Sequence, residues 1–181
     1  MLLPEIIDTR RLHLRKPLIE DAHEVFRNYG SDPEATRYLA WPTHQKPEDA
    51  FEGLLVRLAH WEQGSEFSWS ITPPGDSGCV MGMISAMPDP RHSWRWSIGY
   101  VLGRQWWKNG YMTEAVRAVK EELFLQPLAQ RVWAWVDEDN YGSMRVLEKA
   151  GFTREGVLHR WSVHPQLGAT PRDCWTFAAL R

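Results

Sequence analysis

The stretch from Trp94 to Phe152 constrains the fold most, because its apolar spacing switches three times between the period of a strand and that of a helix. Trp94 to Leu102 reads as a strand. A short loop carrying Gly110 follows, and from about Thr113 to Leu125 the residues Val116, Val119 and Leu123 fall on one helical face. Arg131 to Val136 reads as another strand. Ser143 to Ala150 reads as a short helix that Gly151 stops from the first position past its end. This βαβ-like alternation asks for a sheet with helices packed against it.

The rest of the chain extends the same architecture. Thr9 to Arg15 predicts a strand with Leu12 and Leu14 on one face, and Glu20 to Tyr29 a helix. Pro47 suits the first turn of a second helix whose stripe is Phe51, Leu54, Leu55, Leu58 and Trp61. Strands are expected at 67–72 and 80–87, separated by the turn Pro73-Pro-Gly-Asp-Ser-Gly78, and again at 152–158 and 174–180. The predicted fold class is α/β, a mixed sheet flanked by helices. A length of 181 residues suits one domain spanning 1–181.

Composition narrows the function. A net charge of −2 gives no dominant basic surface, so nucleic acid is not the expected partner. No apolar run reaches the roughly 18 residues of a membrane span, and Met1 to Arg15 has no secretory core, so a cytoplasmic protein is expected. Cys79 and Cys174 fit no metal spacing, and no metal is expected. The strand-loop-helix passage through Gly110 is a candidate anion site: a helix opens with unpaired N–H groups and the positive end of its dipole, and glycine lets backbone approach a phosphate. By itself that passage is equally an ordinary turn.

Three motifs give it context. Ile98-Gly-Tyr-Val-Leu102, then Trp107-Lys-Asn-Gly-Tyr-Met-Thr-Glu-Ala115, then Asn140-x-x-Ser-x-x-Val-Leu-Glu-Lys-x-Gly-Phe152 resemble the GNAT acetyltransferase superfamily, and within it the RimJ/RimL-like branch. The opening Thr9-x-Arg-Leu-x-Leu-Arg15 with Asp21-Ala22 is similar to that branch too. The resemblance covers nearly the whole chain. It implies a mostly antiparallel GNAT-type sheet in which a bulged strand at 98–102 splays from the strand at 131–136. It implies acetyl-CoA as co-substrate, its pantetheine arm lying in the splay along Tyr100, Val101 and Leu102. Its pyrophosphate would rest on the main chain of Lys108, Asn109, Gly110, Tyr111, Met112 and Thr113. Asn140 would contact the pantetheine, and Ser143 would lie near the thioester sulfur as proton donor. An alternative on the same fold is an acyl-CoA-binding module with weakened turnover. A second is an interaction protein built on its tryptophans.

Three positions depart from the pattern that the resemblance implies. Lys108 and Met112 stand where glycine or another small residue is usual; a lysine ammonium suits a pyrophosphate, whereas the bulk of Met112 would crowd it. Ser97 stands where branch members often carry a glutamate base, and serine alone is no strong base. His92 and His164 are the other candidates for that proton, each equally a surface histidine. Without a strong base the expected acceptor is an α-amine, whose pKa of about 7.7–8.0 leaves roughly a tenth neutral at pH 7, or a comparable small amine. Trp96, Trp133 and Trp135 are candidates for the acceptor pocket. Strand alternation puts Val132, Ala134 and Val136 on the core side. The tryptophan face would equally suit a subunit interface, as in a homodimer.

Overall fold

The computed structural model describes residues 3–181. A single eight-stranded sheet runs in the order β1-β2-β3-β4-β5-β6-β8-β7. The strands are β1 (Ile6–Asp8), β2 (His13–Arg15), β3 (Phe67–Thr72), β4 (Gly82–Pro88), β5 (Arg95–Leu102), β6 (Arg131–Asp137), β7 (Thr153–Ser162) and β8 (Arg172–Leu180). All neighbours are antiparallel except β5 and β6, which are parallel and joined by a crossover helix. The helices are α1 (Ala22–Val25, running on as a π-helical turn Phe26–Gly30), α2 (Pro33–Thr36), α3 (Pro47–Gln63), α4 (Tyr111–Leu125) and α5 (Tyr141–Lys149). The mixed, mostly antiparallel α/β class expected from the sequence is the class observed.

Alternation assigns each strand residue to one of two faces. Ile84 and Ala86 of β4, Trp96 and Ile98 of β5, and Val132, Ala134 and Val136 of β6 join one core with Met112, Val116, Val119 and Leu123 of α4 and Leu147 of α5. On the other face Met83 packs with Val25 and Tyr29, and with Ala50 and Leu54 of α3. The helix α5 ends in a Schellman motif: Gly151 has φ +85°, Phe152 N–H donates to the Leu147 carbonyl at 3.0 Å, and Gly151 N–H donates to Glu148 at 3.0 Å.

Some boundaries differ from those the sequence predicts. The first strand is a hairpin, because the Thr9 hydroxyl accepts the Leu12 N–H at 3.0 Å and turns the chain between β1 and β2. The helix expected at 20–29 tightens to a 3₁₀ turn at Ile19–Asp21 and widens to a π turn at Phe26–Gly30. The helix α2 has only four residues and was not expected. Helices α4 and α5 each begin two residues early, at Tyr111 and Tyr141, because Gly110 and Asn140 are their N-caps.

A buried ion pair ties β2 to the first helical turn. Arg15 Nη2 and Nη1 donate to the two oxygens of Asp21 at 2.6 and 2.9 Å, and Ser70 Oγ and Leu18 N–H donate to the same carboxylate. Removing one partner of such a pair strands the other charge in the interior. Asp21→Ala is expected to cost about 3–5 kcal/mol of unfolding free energy, read by denaturant titration, against under 1 kcal/mol for the exposed Glu34→Ala.

Candidate active site

The register between β5 and β6 is short. It contains the pairs Arg95↔Arg131, Trp96↔Val132 and Ser97↔Trp133, and then the strands part. β5 meanwhile keeps its other partner: its pairing with β4 runs unbroken from Trp96 to Leu102. The bulge expected in β5 is therefore not there, and the gap arises from loss of the parallel ladder alone. Beyond Ser97 the β6-facing edge of β5 has main-chain groups with no strand to pair with.

A cleft of about 800 Å³ opens along this gap on the α1–α3 side of the sheet. It brings together Ser97, Tyr100, Val101, Trp133, Trp135, Asn140 and Ser143. Trp133 and Trp135 are half-buried in its wall. Trp96 is not part of the cleft. It is 4% exposed in the opposite core, its ring 6.1 Å from that of Phe67, because its position in the strand points it to the α4 side. Leu102 is likewise a core residue.

Asn140 and Ser143 meet at the start of α5. Asn140 is the N-cap of α5, its Oδ1 accepting the Ser143 N–H at 3.1 Å. The Ser143 hydroxyl reaches from α5 to β5: it lies 2.8 Å from the Tyr100 hydroxyl. Tyr100 also donates toward the Ser143 carbonyl at 3.3 Å. Burial raises the Tyr100 phenol above its ordinary pKa, although the Ser143 bond works the other way, so the pair keeps its protons at neutral pH. The phenol of Tyr100 is a functional group that motif reading missed, since there only its main chain was considered.

The loop Trp107–Gly110 lies outside the cleft and leads into α4. Gly110 has φ +77° and Lys108 φ +64°. The left-handed conformation at 108 explains why a glycine would be at home there, and Lys108 adopts it at a cost of about 1–2 kcal/mol. The first bond of α4 is Glu114 N–H to the Gly110 carbonyl at 3.0 Å. Among the described residues, the N–H groups of Tyr111, Met112 and Thr113 precede it and are left for an outside acceptor. Glu114 holds this turn in place, accepting from Thr9 Oγ1 at 2.7 Å and Arg11 N–H at 2.9 Å. Arg11 in turn donates to the Asn109 carbonyl at 3.0 Å. Met112, expected to crowd the loop, is 5% exposed within the core, so its bulk points away from that turn.

The two histidines considered as bases are placed elsewhere. His92 pairs with Asp89 at 3.1 Å in the β4–β5 turn, away from the cleft. His164 is fully buried beside Trp135, its Nε2 3.1 Å from Asp137 and its Nδ1 3.4 Å from the Leu39 carbonyl. The histidine that does line the cleft is His44, in the loop before α3. It stacks on Trp41 at 4.7 Å, and burial lowers its pKa, so it is neutral. No periodic signal marks that loop. Glu66, at the head of β3, also lines the cleft. Among the described residues no cluster of three or more His, Cys, Asp or Glu could hold a metal, and no helix is long and apolar enough to cross a membrane.

A sheet parted beside a helix that presents free N–H groups defines a site for a ligand with both an amide-bearing arm and an anionic end. Residues 11–153 match the acetyltransferase (GNAT) domain, and the chain belongs to that family. An uncharacterized N-acetyltransferase of Bacillus licheniformis is 31% identical over 85% of each chain. A GNAT-family acetyltransferase of Bacillus anthracis superposes with a TM-score of 0.82 at 25% identity, covering 97% of this chain and 98% of that one. RimJ of Mycobacterium smegmatis, solved in complex with CoA-disulfide, superposes with a TM-score of 0.86 at 19% identity, covering 99% and 90%. The chain is an acetyl-CoA-dependent N-acetyltransferase.

The orientation of Met112 has a measurable consequence. Met112→Ala empties core volume and is expected to cost about 2–5 kcal/mol. The dissociation constant for coenzyme A by calorimetry, taken well below the melting transition, is expected to stay within about twofold, since the Met112 side chain lies in the core and not in the turn.

Proposed function

We propose that this enzyme acetylates an α-amine or a small low-pKa amine, in the manner of the RimJ/RimL-like branch, by direct attack within a ternary complex. The observation that supports this reading is the Tyr100–Ser143 bridge from β5 to α5 beside the parted strands, a pair of hydroxyls suited to protonate a departing sulfur.

The residues present fit acetyl-CoA. The N–H groups of Tyr111, Met112 and Thr113, with the dipole of α4, suit a pyrophosphate, and Lys108 adds a cation at the same turn. The unpaired edge of β5 beyond Ser97 suits pantetheine amides. When bound, acetyl-CoA supplies an activated acyl group as a thioester. The chain's own contributions follow from position. The main-chain N–H of Tyr100, on the β6-facing edge of β5, polarises the acyl oxygen. Ser143, backed by the protonated Tyr100 phenol, gives a proton to the departing sulfur. Asn140 fixes Ser143 by capping α5. The cleft over Trp133 and Trp135 holds the acceptor beside the gap, which makes attack effectively unimolecular. The fold and these contacts support one domain over 1–181. The composition supports a cytoplasmic enzyme.

Acceptor class is tested with acetyl-CoA and three amines, read as free thiol: a C-terminally blocked tripeptide with a free α-amine, an Nα-blocked lysine amide, and spermidine. Turnover of the tripeptide is expected. Strong turnover of the lysine amide with none of the tripeptide would overturn the α-amine reading.

Two substitutions probe the donor side. Ser143→Ala is expected to lower kcat by roughly tenfold with KM for acetyl-CoA unchanged. That is less than the 10²–10⁴ of an obligatory acid, because a thiol of pKa about 8.5 leaves readily on its own. Lys108→Gly is expected to leave the melting temperature unchanged or slightly higher, since it relieves the left-handed strain. It should weaken coenzyme A binding several-fold at low salt, with the difference shrinking as ionic strength rises.

A further inference from the structure

The acceptor nitrogen must shed a proton, and Ser97, at the position where the branch often has glutamate, cannot take it alone. On the floor of the cleft three polar groups are connected instead. Ser85 of β4 lines the cleft at 8% exposure, Ser68 of β3 is fully buried beside it, and Glu66 lines the cleft again at the head of β3. Ser68 Oγ donates to Glu66 Oε1 at 2.9 Å, and Ser68 and Ser85 hydroxyls lie 2.6 Å apart.

Counting protons fixes the direction of this chain. Glu66 faces Arg57 and His60 from α3 and Ser68 from β3. Burial works against its ionisation, but the Arg57 charge and the hydroxyl and imidazole donors around it prevail, so it is a carboxylate and only accepts. A hydroxyl has one proton to give, and Ser68 gives its own to Glu66. The proton between the two serines therefore belongs to Ser85. Ser85 then has none left, and toward the cleft it presents lone pairs alone. It can receive an N–H and cannot donate to a carbonyl.

Position matches this polarity. Ser85 pairs directly with Gly99, two residues beyond the last β5–β6 pair. A Cβ added at Gly99 would meet nothing within 4 Å, so open space lies over Gly99 at the mouth of the gap, beside the Ser85 hydroxyl.

We propose that Ser85, Ser68 and Glu66 form a proton wire for acyl transfer, with Ser85 the catalytic member that touches the acceptor nitrogen in the space over Gly99. The proposal rests on the acetyl-transfer reading. The nitrogen forms its bond to the acyl carbon, and the carbon–sulfur bond breaks with its electron pair going to sulfur, which takes a proton from the Tyr100–Ser143 pair. The surplus nitrogen proton passes to Ser85 Oγ. The Ser85 proton passes to Ser68 Oγ, and the Ser68 proton to Glu66 Oε1. Glu66 then loses its proton to solvent, and the Tyr100–Ser143 pair regains one.

The test measures thiol release from acetyl-CoA with the tripeptide, the lysine amide and spermidine, following whichever is acetylated fastest. Ser85→Ala, Ser68→Ala and Glu66→Gln are each expected to lower kcat about 100-fold, the lower range for a general base, with KM for acetyl-CoA unchanged. Ser68→Thr, which keeps the hydroxyl, restores most of the rate. The double variant Ser68→Ala/Glu66→Gln is no slower than either single one, because a broken wire cannot be broken twice. Melting curves confirm folding, and the isosteric Glu66→Gln and the Ser68→Thr variant carry the test if an alanine variant fails to fold. Wild-type kcat in Ser68→Ala or Glu66→Gln, or losses that multiply in the double variant, would overturn the wire alone. Absence of thiol release by the wild-type enzyme with all three amines would overturn the acetyl-transfer reading and the wire with it.

Discussion

The short parallel ladder between β5 and β6 is the constraint on which the rest depends. Three register pairs hold the strands together, and beyond Ser97↔Trp133 the backbone of each faces a gap. Unpaired backbone groups inside a fold are expensive, so they must meet water or a ligand that carries amides of its own. Beside the gap the Tyr100–Ser143 bridge joins β5 to α5, which fixes the helix relative to the strand through side chains. Because β4 follows β5 without a register slip, the sheet on the other side stays continuous, and the opening is confined to one seam.

Alternation along β5 separates two tasks with one strand. Ile98 and Leu102 point into the core under α4, with Tyr100 aimed at α5. Ser97 and Gly99 line the cleft under α3, which is the side proposed for the acceptor. The helix α4 reaches the seam through a turn in which both Lys108 and Gly110 are left-handed, and Glu114 clamps that turn to the β1–β2 hairpin through Thr9 and Arg11. The hairpin thus has a reason to exist beyond closing the sheet edge.

Most of the sheet was legible in the sequence because period-two runs such as Arg131 to Val136 and the stop at Gly151 are local signals. The hairpin at Thr9 was not, because a side-chain-to-backbone turn interrupts an otherwise regular alternation. Trp96 misled because two tryptophans two residues apart look alike in sequence, whereas only register and the end of a strand decide that Trp96 meets Phe67 while Trp94 lies exposed. Met112 was legible in identity but not in direction, since the start of α4 at Tyr111 determines which way residue 112 points. His44 and Glu66 gave no motif signal. Each stands just outside a regular element and enters the cleft only through the packing of α3 on the sheet.

The location of Glu66 bears on why a carboxylate need not stand at 97. Ser97 and Ser85 are diagonal neighbours on adjacent strands, a separation of roughly 7–8 Å in such pairs. A glutamate at 97 would put a second carboxylate in a cleft that already holds Glu66, and like charges in a partly desolvated site repel. Two hydroxyls interposed between the nitrogen and Glu66 keep the proton path while moving the anion back beside Arg57, where its charge is balanced. The serine at 97 is then compatible with turnover, because the base has moved to a neighbouring strand and the same face of the sheet still leads to it.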